Sequence, residues 1–264
     1  MVIGNFDGVH RGHQAVIASA VDEARSLGLA PVVLTFDPHP SVVLGKGTPS
    51  VLTTMARRVE LMERVAPTLT VVVEPFTLEL SELEPREFVD RLLLDDLGAA
   101  AVLVGQNFCF GRGRKGDIAL LCQLGKELGF RARAHELEGD ALGAFSSSRV
   151  RGALGSGDVG AAGQILGRPH SICGRVVHGN ARGAGLGFPT ANLETSEELA
   201  PRGGVYACLV DRIEEEGARA LGKGVVNIGV RPTLGAGAST EVHRLDFEAD
   251  LYGLQLRVHF VERL

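Results

Sequence analysis

The chain has 264 residues, 45% hydrophobic and 22% charged, enough to bury one large or two ordinary cores without disulfide or metal support. A net charge of −5, from 27 basic and 32 acidic residues, and the lack of a long basic block argue against nucleic-acid binding but leave room for a small anionic ligand. No apolar run reaches the ~18 residues of a membrane helix, and His and Asp stand where a signal peptide would be apolar, so a cytoplasmic protein with no membrane partner is expected.

Val2–Ile3 is a short apolar start that runs into Gly4-Asn5-Phe6-Asp7-Gly8. Apolar residues at Val16, Ile17, Ala20, Val21, Ala24 and Leu27 predict a helix over 13–27, stopped by Gly28. Pro31–Phe36 and Leu69–Glu74 read as buried strands, Pro85–Leu97 as a helix, Ala100–Val104 as a strand, Asp117–Leu128 as a helix and Phe130–Ala134 as a short strand. That alternation implies βαβ units and a parallel sheet, with ligands beyond the carboxyl ends of the strands. Two short helices follow, Ser148–Leu154 and Asp158–Leu166, the second capped by Asp158.

After about residue 168 period-two strands take over: Ser171–Val177, Val205–Val210, Leu221–Asn227, Thr240–Phe247 and Leu254–Val261. Leu254, Leu256, Val258 and Phe260 face one way, and Gln255, Arg257 and His259 the other. Short strands and glycine-rich turns predict a small antiparallel barrel or sandwich, with the boundary near 155–168. The four cysteines (Cys109, Cys122, Cys173, Cys208) form no C-x-x-C pair and read as small buried hydrophobes in a reducing compartment.

Five strings could carry chemistry. Gly4-Asn5-Phe6-Asp7-Gly8-Val9-His10-Arg11-Gly12-His13 ends a strand and opens a helix, where free N–H groups suit phosphate. His10 and His13 could donate to its oxygens while Gly12 lets a ligand approach; the string also reads as a turn with two surface histidines. In Phe145–Arg151, Ser147 could bind phosphate and Arg151 could neutralise charge, or the serines could simply cap a helix. Gly111-Arg-Gly-Arg-Lys-Gly116 lies too far from its strand for a dinucleotide fingerprint and reads as a basic loop, with or without an anionic ligand. Gly217-Ala-Arg-Ala-Leu-Gly-Lys-Gly224 lacks the final hydroxyl of a P-loop and reads as a turn before a strand.

The fifth string runs from Gly179 to Asn192. Gly179, Gly183 and Gly185 could wrap amides around phosphate, and Thr190 and Asn192, on one face if extended, could offer oxygens to Mg²⁺. The bland reading is a β-turn with Thr and Asn bonding their own backbone. Glu241, with same-face neighbours His243, Leu245 and Phe247, could act as a base from a largely apolar face, or be a charge at a barrel rim.

Taken in order, IGNFDGVHRGH, LTFDPHP, VGQNFCFG, SSSRVR, LGRPHSICGRVVHG, LGFPTANL, GGVYA, VNIGVRPT and TEVHRLDF followed by DLYG resemble the bacterial bifunctional riboflavin kinase/FMN adenylyltransferase family across nearly the whole chain. The resemblance implies a Rossmann-like α/β nucleotidyltransferase domain at 1–155, a linker helix at 156–168 and a small antiparallel kinase β-barrel at 169–264. Gly4 to Gly8, His10, Gly12 and His13 would then meet ATP phosphates, and Asn107 would help bind nucleotide or flavin. Ser147 and Arg151 would clamp phosphates during attack by FMN. Thr190 and Asn192 would organise Mg·ATP, and Glu241 would deprotonate the ribityl hydroxyl. ATP, riboflavin, FMN and FAD are the implied small molecules, with no nucleic acid and no oligomeric state readable. Against the family's pattern both ends look short, at the first strand and at the helix after the last one. Alternatives are a chain in which only the adenylyltransferase works, and a non-catalytic flavin- or nucleotide-binding regulator.

Overall fold

Consecutive residues of the first apolar strands bury on opposite faces of one sheet. Val2, Val33 and Leu103 pack with Val16, Ile17, Ala20, Leu61 and Met62, whereas Ile3, Leu34, Val102 and Val104 pack with Phe88, Leu92, Leu93, Leu121 and Leu124. A sheet buried on both faces explains why these strands read as continuous apolar runs rather than alternating ones.

The computed structural model describes residues 1–47, 49–177, 190–195, 197–215, 217–230, 238–244 and 251–264, without the side chains of 190, 230, 238 and 244. They divide into two compact units, 1–49 with 55–145, and 50–54 with 146–264.

In the first unit the order is β1 (Val2–Ile3), α1 (Arg11–Leu27), β2 (Val32–Asp37), α2 (Pro40–Val43), α3 (Met55–Val65) and β3 (Thr70–Pro75). It continues with α4 (Leu78–Glu82), α5 (Pro85–Phe88), a π-helical stretch Val89–Asp96, β4 (Ala101–Gly105), α6 (Ile118–Leu128), β5 (Arg131–His135) and the hairpin β6 (Gly139–Asp140) and β7 (Gly143–Ala144). The sheet order is β3-β2-β1-β4-β5, all parallel. The chain leaves β1 towards β2 and β3, then returns to the other side for β4 and β5, so the switch point lies at the carboxyl end of β1.

Sequence patterning missed α3. Its Met-Ala-Arg-Arg-Val-Glu-Leu-Met-Glu-Arg-Val looks solvated, yet Arg57 and Arg58 are buried with Leu61 and Met62. The helix expected over 85–97 is one turn of α-helix followed by wider π-turns, which bury Val89, Leu92 and Leu93.

The second unit holds α7 (Ser147–Ser156), α8 (Val159–Leu166), β8 (Ser171–Val177), β9 (Thr190–Thr195), β10 (Gly204–Glu214), β11 (Gly217–Val230), β12 (Ala238–Arg244) and β13 (Gln255–Arg263). The six strands close into a barrel in the order β10-β11-β12-β9-β8-β13, which leaves no sheet edge. Ile172, Leu193, Tyr206, Val210, Val226, Val242, Leu256, Val258 and Phe260 fill it. Tyr206 and Phe260 meet edge to face at 5.4 Å, and the Tyr206 hydroxyl donates to the Arg202 carbonyl.

One expectation is corrected here. The Gly217–Gly224 string is strand, not turn: Gly224 pairs with Cys208, and a Cβ on it would stand 2.8 Å from the His243 carbonyl oxygen. Glycine there permits close strand approach. Arg257, which faces opposite to Leu256 and Val258, is 5% exposed. Strand β9 was not foreseen at all. Among the described residues no helix is long and apolar enough to cross a membrane.

Ser50–Thr54 is separated in sequence from the rest of its unit. Leu199 N donates to the Val51 carbonyl at 2.7 Å, and Arg151 Nε donates to the Ser50 carbonyl at 2.8 Å.

Candidate active sites

In the first unit the residues between β1 and α1 form a tight, strained loop. Phe6 (φ 51°), Gly8 (φ 83°) and Val9 (φ 40°) all occupy the left-handed region. For Phe and the β-branched Val this costs on the order of 1–3 kcal/mol each, and it persists only where the surroundings fix it. They do so here. Val9 N donates to the Phe6 carbonyl at 2.9 Å, and Gln14 Nε2 to the Val9 carbonyl at 2.8 Å. The Asn5 carbonyl accepts from Thr35 Oγ1 at 3.3 Å and from Arg58 Nη1 at 2.9 Å.

The loop delivers His10 as the N-cap of α1, its Nδ1 accepting from His13 N at 3.3 Å. The two imidazoles stack with centroids 3.5 Å apart, and His13 meets the Phe6 ring edge-on at 5.1 Å. The outcome is a pair of rings at a helix N-terminus, at the switch point, where N–H groups and partial positive charge suit an anion.

A Cβ on Gly12 would stand 3.3 Å from the His10 ring, so glycine there leaves room for the histidine stack. Asn107 is exposed on the turn after β4, at the carboxyl end of the strand that pairs with β1. His39 was absent from the sequence-based site, yet its Nε2 lies 3.3 Å from Asn5 Nδ2. It follows the carboxyl end of β2, the one signal that could have singled it out.

In the basic loop at 111–116, Arg112 Nε and Lys115 Nζ each lie 3.3 Å from Glu84 Oε1.

Ser147 and Arg151 lie on α7, in the second unit. Ser146 is the helix cap, its Oγ accepting from Arg149 N at 3.2 Å, and Arg151 holds the Ser50 carbonyl.

On the barrel, β12 lies between β9 and β11. Glu241 pairs directly with Asn192 on β9 and with Asn227 on β11, while Val177 on β8 continues the row beyond Asn192. Thr190 pairs with His243. Buried Thr240 and Val242 point into the barrel, so Glu241 lies on its outer face. Directly opposed residues hold their Cβ atoms about 5 Å apart. Across the strands Glu241 thus stands between two carboxamides; its expected same-face neighbours Leu245 and Phe247 lie outside the described residues, as do Gly179, Gly183 and Gly185. The Asn192 amide oxygen, beside the Glu241 carboxylate, is a hard oxygen donor of the kind that fits Mg²⁺. Among the described residues no cluster of three or more His, Cys, Asp or Glu could hold a metal.

Comparison with known proteins covers both units. The FAD synthetase family model matches residues 1–149, and the riboflavin kinase family model matches residues 166–264. The bifunctional riboflavin kinase/FMN adenylyltransferase of Pseudomonas fluorescens is 42% identical over 270 residues, covering 99% of this chain and 83% of the relative. That of Escherichia coli K12 is 36% identical over 260 residues, covering 98% and 82%. A crystal structure named as a macrolide-efflux protein from Streptococcus pneumoniae superposes with a TM-score of 0.87 at 30% identity, covering 100% of this chain and 85% of that one.

Proposed function

Because the chain belongs to the family of bifunctional riboflavin kinase/FMN adenylyltransferases, we propose a division of its residues between two phosphate transfers. The chain is a bifunctional transferase of flavin-cofactor synthesis, phosphorylating riboflavin to FMN and adenylylating FMN to FAD. In such reactions positioning and charge neutralisation supply most of the rate.

Residues 1–155 carry adenylylation, 156–168 link the two activities, and 169–264 carry phosphorylation. In the first reaction an FMN phosphate oxygen attacks the α-phosphorus of ATP and pyrophosphate leaves. The Gly4–Gly8 loop, Gly12 and the N-terminus of α1 hold the ATP phosphates. His10 and His13 donate to oxygens that gain charge, each such donor being worth roughly 10²–10³ in rate. Asn107 contacts nucleotide or flavin, and Ser147 and Arg151 bind phosphate.

In the second reaction Glu241 accepts the proton of the ribityl 5′-hydroxyl as its oxygen attacks the γ-phosphorus of ATP, and ADP leaves. Gly179, Gly183 and Gly185 cradle phosphate through backbone amides. Thr190 and Asn192 hold Mg²⁺, which neutralises phosphate charge when bound. The substrates are those of a cytoplasmic enzyme. The direct pairing of Glu241 with Asn192 carries this reading, since it sets a proton acceptor beside a Mg²⁺ ligand.

The test is to incubate the protein with ATP, Mg²⁺ and either riboflavin or FMN, and separate the flavins over time. FAD from both starts is expected. FAD from FMN alone would leave only the adenylyltransferase working, and no new flavin from either would favour a binding protein.

A further inference from the structure

Arg58 belongs to none of the motifs above, yet its side chain is 7% exposed and reaches from α3 to the loop after β1. Nη1 donates to the Asn5 carbonyl at 2.9 Å. Nη2 stands 3.5 Å from Asp7 Oδ1, on a carboxylate that is itself 6% exposed. The guanidinium thus spans Phe6, the first residue of the loop with a left-handed backbone, holding the main chain before it and the side chain after it.

We propose that Arg58 is a positioning residue for adenylyl transfer. It fixes Asn5 and Asp7 in the conformation that places His10 and His13 at the start of α1, and it cancels the Asp7 charge beside the anionic substrate. Two features argue for more than a generic ion pair. The stronger contact goes to a main-chain carbonyl, which fixes the backbone rather than balancing charge. The planar fork also serves two acceptors two residues apart, a geometry that an ammonium group does not reproduce. The proposal rests on the reading of the first unit as an adenylyltransferase. Arg58 meets no substrate in it and acts through the loop.

The test uses the full chain with Arg58→Met and Arg58→Lys, each assayed for FAD from FMN across ATP concentrations, for FMN from riboflavin, and for its melting transition. For Arg58→Met the expected result is a kcat for FAD formation lowered about 10²-fold, the size of a misplacement near 1 Å, with riboflavin phosphorylation kept. Arg58→Lys, which keeps the charge and loses the fork, should recover only part of that kcat. A folded Arg58→Met protein with the parent kcat would overturn the proposal. So would equal loss of both activities together with the melting transition in both variants, which marks a purely structural role. If the parent chain makes no FAD from FMN, the reading of the first unit is what fails.

Discussion

Asn192 and Glu241 stand directly opposite each other where β9 pairs with β12, both on the outer face of a closed barrel. A strand pair fixes such a separation more firmly than a loop can, because a one-residue slip of either strand would turn its side chain inward. Glu241→Gln keeps the shape and removes the proton acceptor. Phosphorylation of riboflavin should fall about 10²–10⁴-fold, the usual share of a general base, while supplied FMN is still converted to FAD. Measuring both products from one preparation checks this, and equal loss of the two would contradict separate sites.

His13→Ala should do the reverse. Removing one ring from the His10–His13 stack should lower FAD formation from FMN roughly 10²–10³-fold and leave the kinase rate unchanged. Gly12→Ala is the subtler probe, since its new methyl would stand 3.3 Å from the His10 ring and push the stack by a few tenths of an ångström. A smaller loss, about tenfold, is expected in the same assay.

Gly174→Ala tests the barrel itself. A Cβ there would stand 2.8 Å from the Glu194 carbonyl oxygen, between β8 and β9, so the strands must part. Overpacking of this kind costs about 1–3 kcal/mol. The melting midpoint should drop, and FMN formation should be lost at a lower temperature than in the parent.

Burial pushes the Cys208 thiol up to about 12 from its ordinary value of 9.0. At pH 8 the native protein should therefore resist alkylation at Cys208 while the half-buried Cys109, Cys122 and Cys173 react faster, and denaturant should abolish the difference. Cys208 keeps its proton more tightly folded than unfolded. Its contribution to stability is thus complete below pH 9 and shrinks as pH rises from there towards 12. Peptide mapping after labelling measures the first effect and melting against pH the second.

The sheet of the first unit was legible because apolar runs capped by Gly28 and Asp117 leave few other ways to bury those residues. Helix α3 was not, since Arg57 and Arg58 look like a solvated face until partners distant in sequence bury them. Arg257 on the last strand is buried as well. One glycine string misled: the 217–224 run looked like a turn, whereas Gly224 marks a place where a neighbouring strand comes close. For Glu241 the strand and its face were readable, but the carboxamides of Asn192 and Asn227 on either side come from register, which no local pattern encodes.

The Ser50–Thr54 segment has a consequence for how the protein is made. Its Ser50 carbonyl binds Arg151, 101 residues further along the chain. On a ribosome adding ~5–20 residues per second, those residues emerge roughly 5–20 s before their partner exists. All five sheet strands of the first unit, the last ending at His135, are therefore made before Arg151 is, while Ser50 waits for a partner from a later stretch of chain.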